Sequence, residues 1–173
     1  MILCSKKIIL AIGTLIIALN ISLSFAGDDS IEIDQRRSIG DPVAGKEKSA
    51  LCQGCHGEDG LSIMPNIPSL AGQWAAYIMR QIRFFGVGSR SDPIMTDMAA
   101  TITSQTDAFD ISAYFATLKQ MRHDPIEREN EEGKRLYIIY QCISCHGEEG
   151  QGRPLNNVIF PVIGGQHKEY LIK

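Results

Sequence analysis

At 173 residues and a formal net charge of -3, the chain has no basic excess that would point to nucleic acid. Its 44% hydrophobic content is that of an ordinary soluble globular protein. Five cysteines raise the question of a disulfide framework, and their spacing answers it below.

In chain order, the first element is a secretory signal. Lys6 and Lys7 precede the apolar run Ile8 to Ile17, extended by Leu19 and Ile21, and Ser24-Phe25-Ala26 supplies the small-x-small cleavage pattern. Residues 1–26 are expected to be removed after Ala26. A membrane anchor is the rival reading, but Asn20, Ser22 and Ser24 interrupt a run already short of the ~20 residues a spanning helix needs. Cleavage removes Cys4 together with two lysines, which takes the charge from -3 to -5 and leaves four cysteines.

Asp41-Pro42 reads as a helix start, with Pro in the first turn, running through Val43, Ala44 and Ala50 into Cys52-Gln53-Gly54-Cys55-His56. Cys142-Ile143-Ser144-Cys145-His146 repeats that pattern ninety residues later. C-x-x-C-H is the haem c attachment signature: one helical turn presents two thiols to the two vinyl groups of one porphyrin, and the next residue is held under the iron. Two C-x-x-C pairs could instead hold zinc, or act as redox dithiols, but neither explains a histidine after each pair or the export signal. The expected cofactors are two covalently bound haem c groups, attached through Cys52, Cys55, Cys142 and Cys145, with His56 and His146 as iron ligands.

The duplication continues outside the motifs. His56-Gly57-Glu58-Asp59-Gly60 matches His146-Gly147-Glu148-Glu149-Gly150, and Pro68-Ser69-Leu70-Ala71-Gly72-Gln73 matches Pro161-Val162-Ile163-Gly164-Gly165-Gln166. Tyr77 matches Tyr170, and Gly45-Lys46 matches Gly133-Lys134. Between the motifs, Trp74, Tyr77, Ile78, Ile82 and Phe85 recur at helical spacing until Gly86. Ser104 or Thr106 can cap a last helix with Ala108, Ile111, Phe115 and Leu118 on one stripe. No strand is expected. The expected fold is all-α, with a first unit over 27–122, a linker over 123–132 and a second unit from 133 to 173. For the sixth ligand of the first iron, Met79 reads as core, Met64 is too close to His56 to cross the ring and Met121 follows the last helix. Met95 and Met98 lie in what reads as an irregular stretch, and spacing alone divides them evenly.

The two C-x-x-C-H-G motifs, Asn66-Ile67-Pro68-Ser69-Leu70-Ala71-Gly72-Gln73, Met95-Thr96-Asp97-Met98, Asp110-Ile111-Ser112-Ala113-Tyr114-Phe115 and Phe160-Pro161-Val162-Ile163-Gly164-Gly165-Gln166-His167 together resemble the dihaem cytochromes c of the c-four type. The resemblance covers nearly all of the chain after the signal. It implies two tandem class I cytochrome c domains, Met95 as the sulfur ligand of the first haem, and Pro68 and Pro161 as carbonyl acceptors for the axial histidines. It also implies the periplasm, peripheral association with the membrane, and delivery of single electrons from a quinol-oxidising complex to a haem-copper oxidase. The alternative is a dihaem subunit of a periplasmic dehydrogenase such as a sulfide-oxidising flavocytochrome.

Against the family pattern, the sequence stops at Lys173, just inside the helix near Gln166, so the second domain reads as C-terminally truncated and its sixth ligand is left unassigned. His167, a lone histidine at a helix start, is set aside for that role. No Ser/His/Asp arrangement or phosphate loop is visible, so no catalytic residue is assigned. The chain reads as an electron-transfer protein and not an enzyme, with peroxidase activity at an open second haem only a by-product.

Overall fold

The computed structural model describes residues 40–122, 130–155 and 158–173. The signal segment with its expected cleavage site, and linker positions 123–129, lie outside the described residues.

Among the described residues the architecture is all-α apart from one short ribbon. The first unit comprises α1 (Pro42–Lys48), α2 (Ala50–His56), α3 (Ala75–Gly86), α4 (Pro93–Ala100) and α5 (Gln105–Thr117). The second comprises α6 (Glu131–Ile139), α7 (Cys142–His146), β1 (Arg153–Leu155), β2 (Val158–Phe160) and α8 (Lys168–Leu171). Helix starts follow their side-chain chemistry. Asp41 caps α1 by accepting from the Val43 N–H, Ser104 caps α5 through Asp107, and Asn130 caps α6 through Gly133.

Three expectations need correction. The run from Pro42 into the first motif is two helices rather than one. At Ser49 the Oγ donates back to the Lys46 carbonyl, and its own carbonyl receives Cys52 N and Gln53 N, which starts α2. The stretch around Met95 is not irregular but is helix α4, capped by Asp92 with Pro93 in the first turn. This Asp-Pro pair is the same start signal that was read correctly at Asp41-Pro42. The third correction is the antiparallel ribbon, in register Arg153↔Phe160, Pro154↔Ile159 and Leu155↔Val158. Only two residues, both asparagine, separate its strands, a spacing and composition that favour hairpins.

Helices α1 and α5 cross with almost no space between them. A Cβ on Gly45 would overlap the Asp110 carbonyl and press on the Tyr114 side chain. Next to the crossing, Lys48 Nζ bridges Asp107 at 2.6 Å and Asp110 at 2.5 Å. These two carboxylates push Lys48 up to about 12, and Lys48 together with the Asp41 N–H holds Asp110 below the usual carboxylate range. Gly45→Ala is therefore expected to destabilise the folded protein by about 3 kcal/mol, the upper end of overpacking costs, despite alanine's better helix propensity. Gly86→Ala is the control. Its Cβ would meet nothing within 4 Å, and it should be neutral or stabilising by up to about 1 kcal/mol. Urea unfolding of both variants checks the pair. Equal stability would remove the tight crossing as a determinant of the fold.

One core cluster, Ile78, Ile111, Tyr114 and Phe115, lies between α3 and α5. A second joins the two units: Ala71 and Trp74 from the first, Met121 from the segment after α5, and Val162 from the second. Around it, polar contacts are reciprocal. Gln73 Nε2 donates to the Val162 carbonyl and Gln73 Oε1 accepts from Val162 N, both at 2.9 Å. Gln166 Nε2 donates to the Ser69 carbonyl at 2.9 Å and Oε1 accepts from Ser69 N at 3.0 Å. The glutamines project from turns at Gly72 (φ +66°) and Gly165 (φ +79°). A Cβ on either would strike the Gln120–Arg122 backbone that passes between them.

Candidate metal centres

Both motifs occupy a single helical turn that ends at the histidine. In α2 the thiols of Cys52 and Cys55, three positions apart, share a face, and Cys52 packs against the α3–α5 cluster. Burial pushes the Cys52 thiol above its ordinary pKa. All four motif cysteines are free and half-buried.

His56 is 5% exposed, and its Nδ1 donates to the Pro68 carbonyl at 2.7 Å. Burial pushes its pKa below the ordinary value, against a smaller upward pull from that carbonyl. The ring is therefore neutral, with its proton on Nδ1 and the Nε2 lone pair available to a metal. In the second unit His146 Nδ1 donates to the Pro161 carbonyl at 2.9 Å, and the ring stands edge-on to Phe160 with centroids 6.1 Å apart.

The proline carbonyls are aimed by equivalent turns. The Gly60 carbonyl receives Leu70 N and Ala71 N, and the Gly150 carbonyl receives Ile163 N and Gly164 N. Each turn fastens the proline segment to the glycine-rich loop after its own motif. The two sites thus share a hydrogen-bond plan as well as a sequence.

This donor set fits a covalently attached porphyrin. At each site two unpaired thiols one helical turn apart adjoin an imidazole whose Nδ1 is already engaged. It does not fit a zinc cluster built from both cysteine pairs, since among the described residues no three His, Cys, Asp or Glu side chains converge. Arg80 adds a further feature: its Nη2 donates to the Ile159 carbonyl, while its buried Nε has no hydrogen-bond partner among the described residues. An anionic group on a cofactor would satisfy such a donor.

Of the methionines, Met95 and Met98 are half-buried on α4, where the Met95 N–H donates to Asp92 Oδ1 at 3.1 Å. Met121 is fully buried in the cluster between the units, with Gln166 Nε2 3.5 Å from its sulfur. His167 Nε2 donates to the Ser62 carbonyl of the first unit at 2.8 Å, so its ring is engaged across the interface. The sequence reading attached no role to Gln73, Gln166 or Arg80. The two glutamines did carry a signal, because each follows a glycine at the same place in the repeat.

The Cytochrome c family model matches residues 130–173. Cytochrome c4 of Pseudomonas aeruginosa is 36% identical over 143 residues, covering 79% of this chain and 70% of that one. The crystal structure of reduced recombinant cytochrome c4 from Pseudomonas stutzeri has a TM-score of 0.68 to this chain at 35% identity, covering 76% of each. A thiosulfate dehydrogenase electron acceptor of Stutzerimonas stutzeri is 32% identical over 134 residues, covering 69% of this chain and 59% of that protein.

Proposed function

The chain belongs to the cytochrome c4 family, and on that premise we propose that it relays single electrons in the periplasm from a quinol-oxidising complex to a haem-copper oxidase. Membership makes it an electron-transfer protein with covalently bound haem c, not an enzyme. When bound, each haem supplies an iron that takes up and gives back one electron. The chain's own residues do the rest. Cys52 and Cys55 tether one haem and Cys142 and Cys145 the other. His56 and Met95 ligate the first iron, and His146 ligates the second. Pro68 and Pro161 hold the histidine rings in one tautomer and orientation.

The observation that carries this reading is the doubled motif turn, with each histidine donating to the carbonyl of the equivalent proline. Residues 1–26 act as the export signal, cleaved after Ala26, which delivers the chain to the compartment where haem is attached. Among the described residues no helix is long and apolar enough to cross a membrane, and any membrane association of the folded part is proposed as peripheral.

Stopped-flow mixing of the reduced dihaem protein with oxidase-containing membranes tests the route. Rapid cyanide-sensitive oxidation is expected, together with reduction of the oxidised protein by a quinol-oxidising complex. The similarity to a thiosulfate dehydrogenase electron acceptor favours a second reading, in which a periplasmic dehydrogenase is the donor. Reduction by such a dehydrogenase, with none by the quinol-oxidising complex, would replace the first reading with the second.

A further inference from the structure

We propose that each unit's axial histidine is tuned from the other unit: Gln166 is a positioning residue for His56, and Gln73 is one for His146. This rests on the reading of both histidines as iron ligands.

The geometry lies in two peptide planes. The Pro68 C=O and the Ser69 N–H belong to one rigid planar group and point in opposite directions. Its oxygen accepts from His56 Nδ1 at 2.7 Å, and its N–H donates to Gln166 Oε1 at 3.0 Å. The Pro161–Val162 peptide repeats the arrangement, with His146 Nδ1 2.9 Å from its oxygen and Gln73 Oε1 2.9 Å from its nitrogen. Each glutamine also donates to the carbonyl of the next peptide, at Ser69 or Val162, so that residue is held at both its N–H and its C=O. The amides themselves are fixed, because Gln73 Oε1 accepts from Trp74 N and Gln166 Oε1 accepts from His167 N. Ser69, Val162 and Gln73 are 2%, 2% and 4% exposed, which shields the Gln73–Val162 bonds from water, while Gln166 is half-buried.

Two physical effects follow. Orientation comes first: a peptide fixed from behind keeps its oxygen on the Nδ1–H axis, and that fixes the ring under the iron. Polarisation comes second. A hydrogen bond accepted from the N–H end of a peptide leaves its oxygen more negative, since chains of hydrogen bonds strengthen one another. A more negative oxygen draws on the Nδ1 proton, makes the imidazole a stronger donor and favours ferric over ferrous iron. Losing Gln166 should therefore raise the potential of the first haem, and losing Gln73 should raise that of the second. An interface that merely holds the units together predicts no such crossing.

The test uses the full dihaem protein with Gln166→Leu, Gln73→Leu and Gln166→Glu. Haem content per chain is measured first by pyridine haemochrome. Haem-resolved redox titration and hydrogen exchange of 15N-labelled histidine Nδ1–H groups, followed by NMR, come next. In Gln166→Leu the reduced-to-oxidised ratio of the first haem at fixed ambient potential should rise roughly threefold to tenfold, below the 10–100-fold typical of groups bonded directly to a ligand. The His56 Nδ1–H should exchange faster, and the second haem should stay within error of wild type. Gln73→Leu should give the mirror result. Gln166→Glu keeps the acceptor for Ser69 N and, once ionised, should polarise the peptide more strongly and bring the first haem below its wild-type potential. If the leucine variant fails to fold, a first haem at or above its wild-type potential in Gln166→Glu overturns the proposal. Equal shifts at both haems, a shift confined to the haem of the mutated glutamine's own unit, or no shift would overturn the proposal. If His56 and His146 show no iron-shifted resonances in the wild-type protein, the ligand reading is what fails.

Discussion

A chain in which Cys52 and Cys55 are both alanine is expected to leave the haem-maturation machinery with one covalent haem instead of two. Haemochrome absorbance per chain should fall by half. Both thioether anchors of one group disappear, while Cys142, Cys145 and His146 lie on a separate helix with their own proline and glycine turns. The first unit should also lose stability, because Cys52 packs against the Ile78–Phe115 cluster and α2 would then end at a histidine without its metal. Pyridine haemochrome on protein extracted with acid acetone makes the measurement. Retention of two acid-stable haems, or stoichiometric zinc in purified protein, would defeat the assignment of the motifs.

Replacing Met95 with alanine should have the largest effect on redox behaviour. As the proposed sulfur ligand of the first iron, Met95 gives the weak red absorbance of ferric His/Met haem, and that band should vanish. Axial ligands span about 0.8 V of potential, and loss of a thioether that favours ferrous iron should lower the first haem by on the order of 0.2 V. Met98→Ala should keep the band and most of the potential. The reverse pattern would transfer the assignment to Met98. Met95 follows Asp92-Pro93-Ile94, and its backbone N–H is tied to the Asp92 carboxylate. The sulfur therefore projects from a capped helix rather than from a pliable loop. Asp92 receives a further contact from the second unit, Lys173 Nζ at 2.6 Å, and that ammonium, ahead of the Met95 N–H, holds its carboxyl below the usual range.

The candidate attachment motifs were legible in the sequence because their chemistry is local. A thiol, a second thiol one turn later and an adjoining imidazole specify covalent haem within five residues, and two copies leave little room for coincidence. The histidine–proline pairings were legible only through family resemblance, because twelve and fifteen residues separate the partners. Helix α4 went unrecognised although Asp92-Pro93 repeats the signal at Asp41-Pro42. Its eight residues carry no strong apolar stripe to accompany the cap. The ribbon was missed because three-residue strands are too short to show alternation. The glutamine pairings span 89 and 97 residues, and no periodicity reports a contact of that range. What the sequence did contain was a matched Gly-Gln at the same place in each repeat.

That matched pair has a bearing on how such a chain can arise. Each unit carries both halves of the contact, a glutamine to offer and a Pro-x peptide to receive one. A surface with both halves is self-complementary, and self-complementary surfaces close as isologous two-fold dimers. The paired glutamine–peptide contacts are therefore those that two identical single-haem chains would make about a two-fold axis. Duplication and fusion of such a gene would join the copies covalently without any new interface having to be invented. The linker then only has to preserve a pairing that the single domain already encodes.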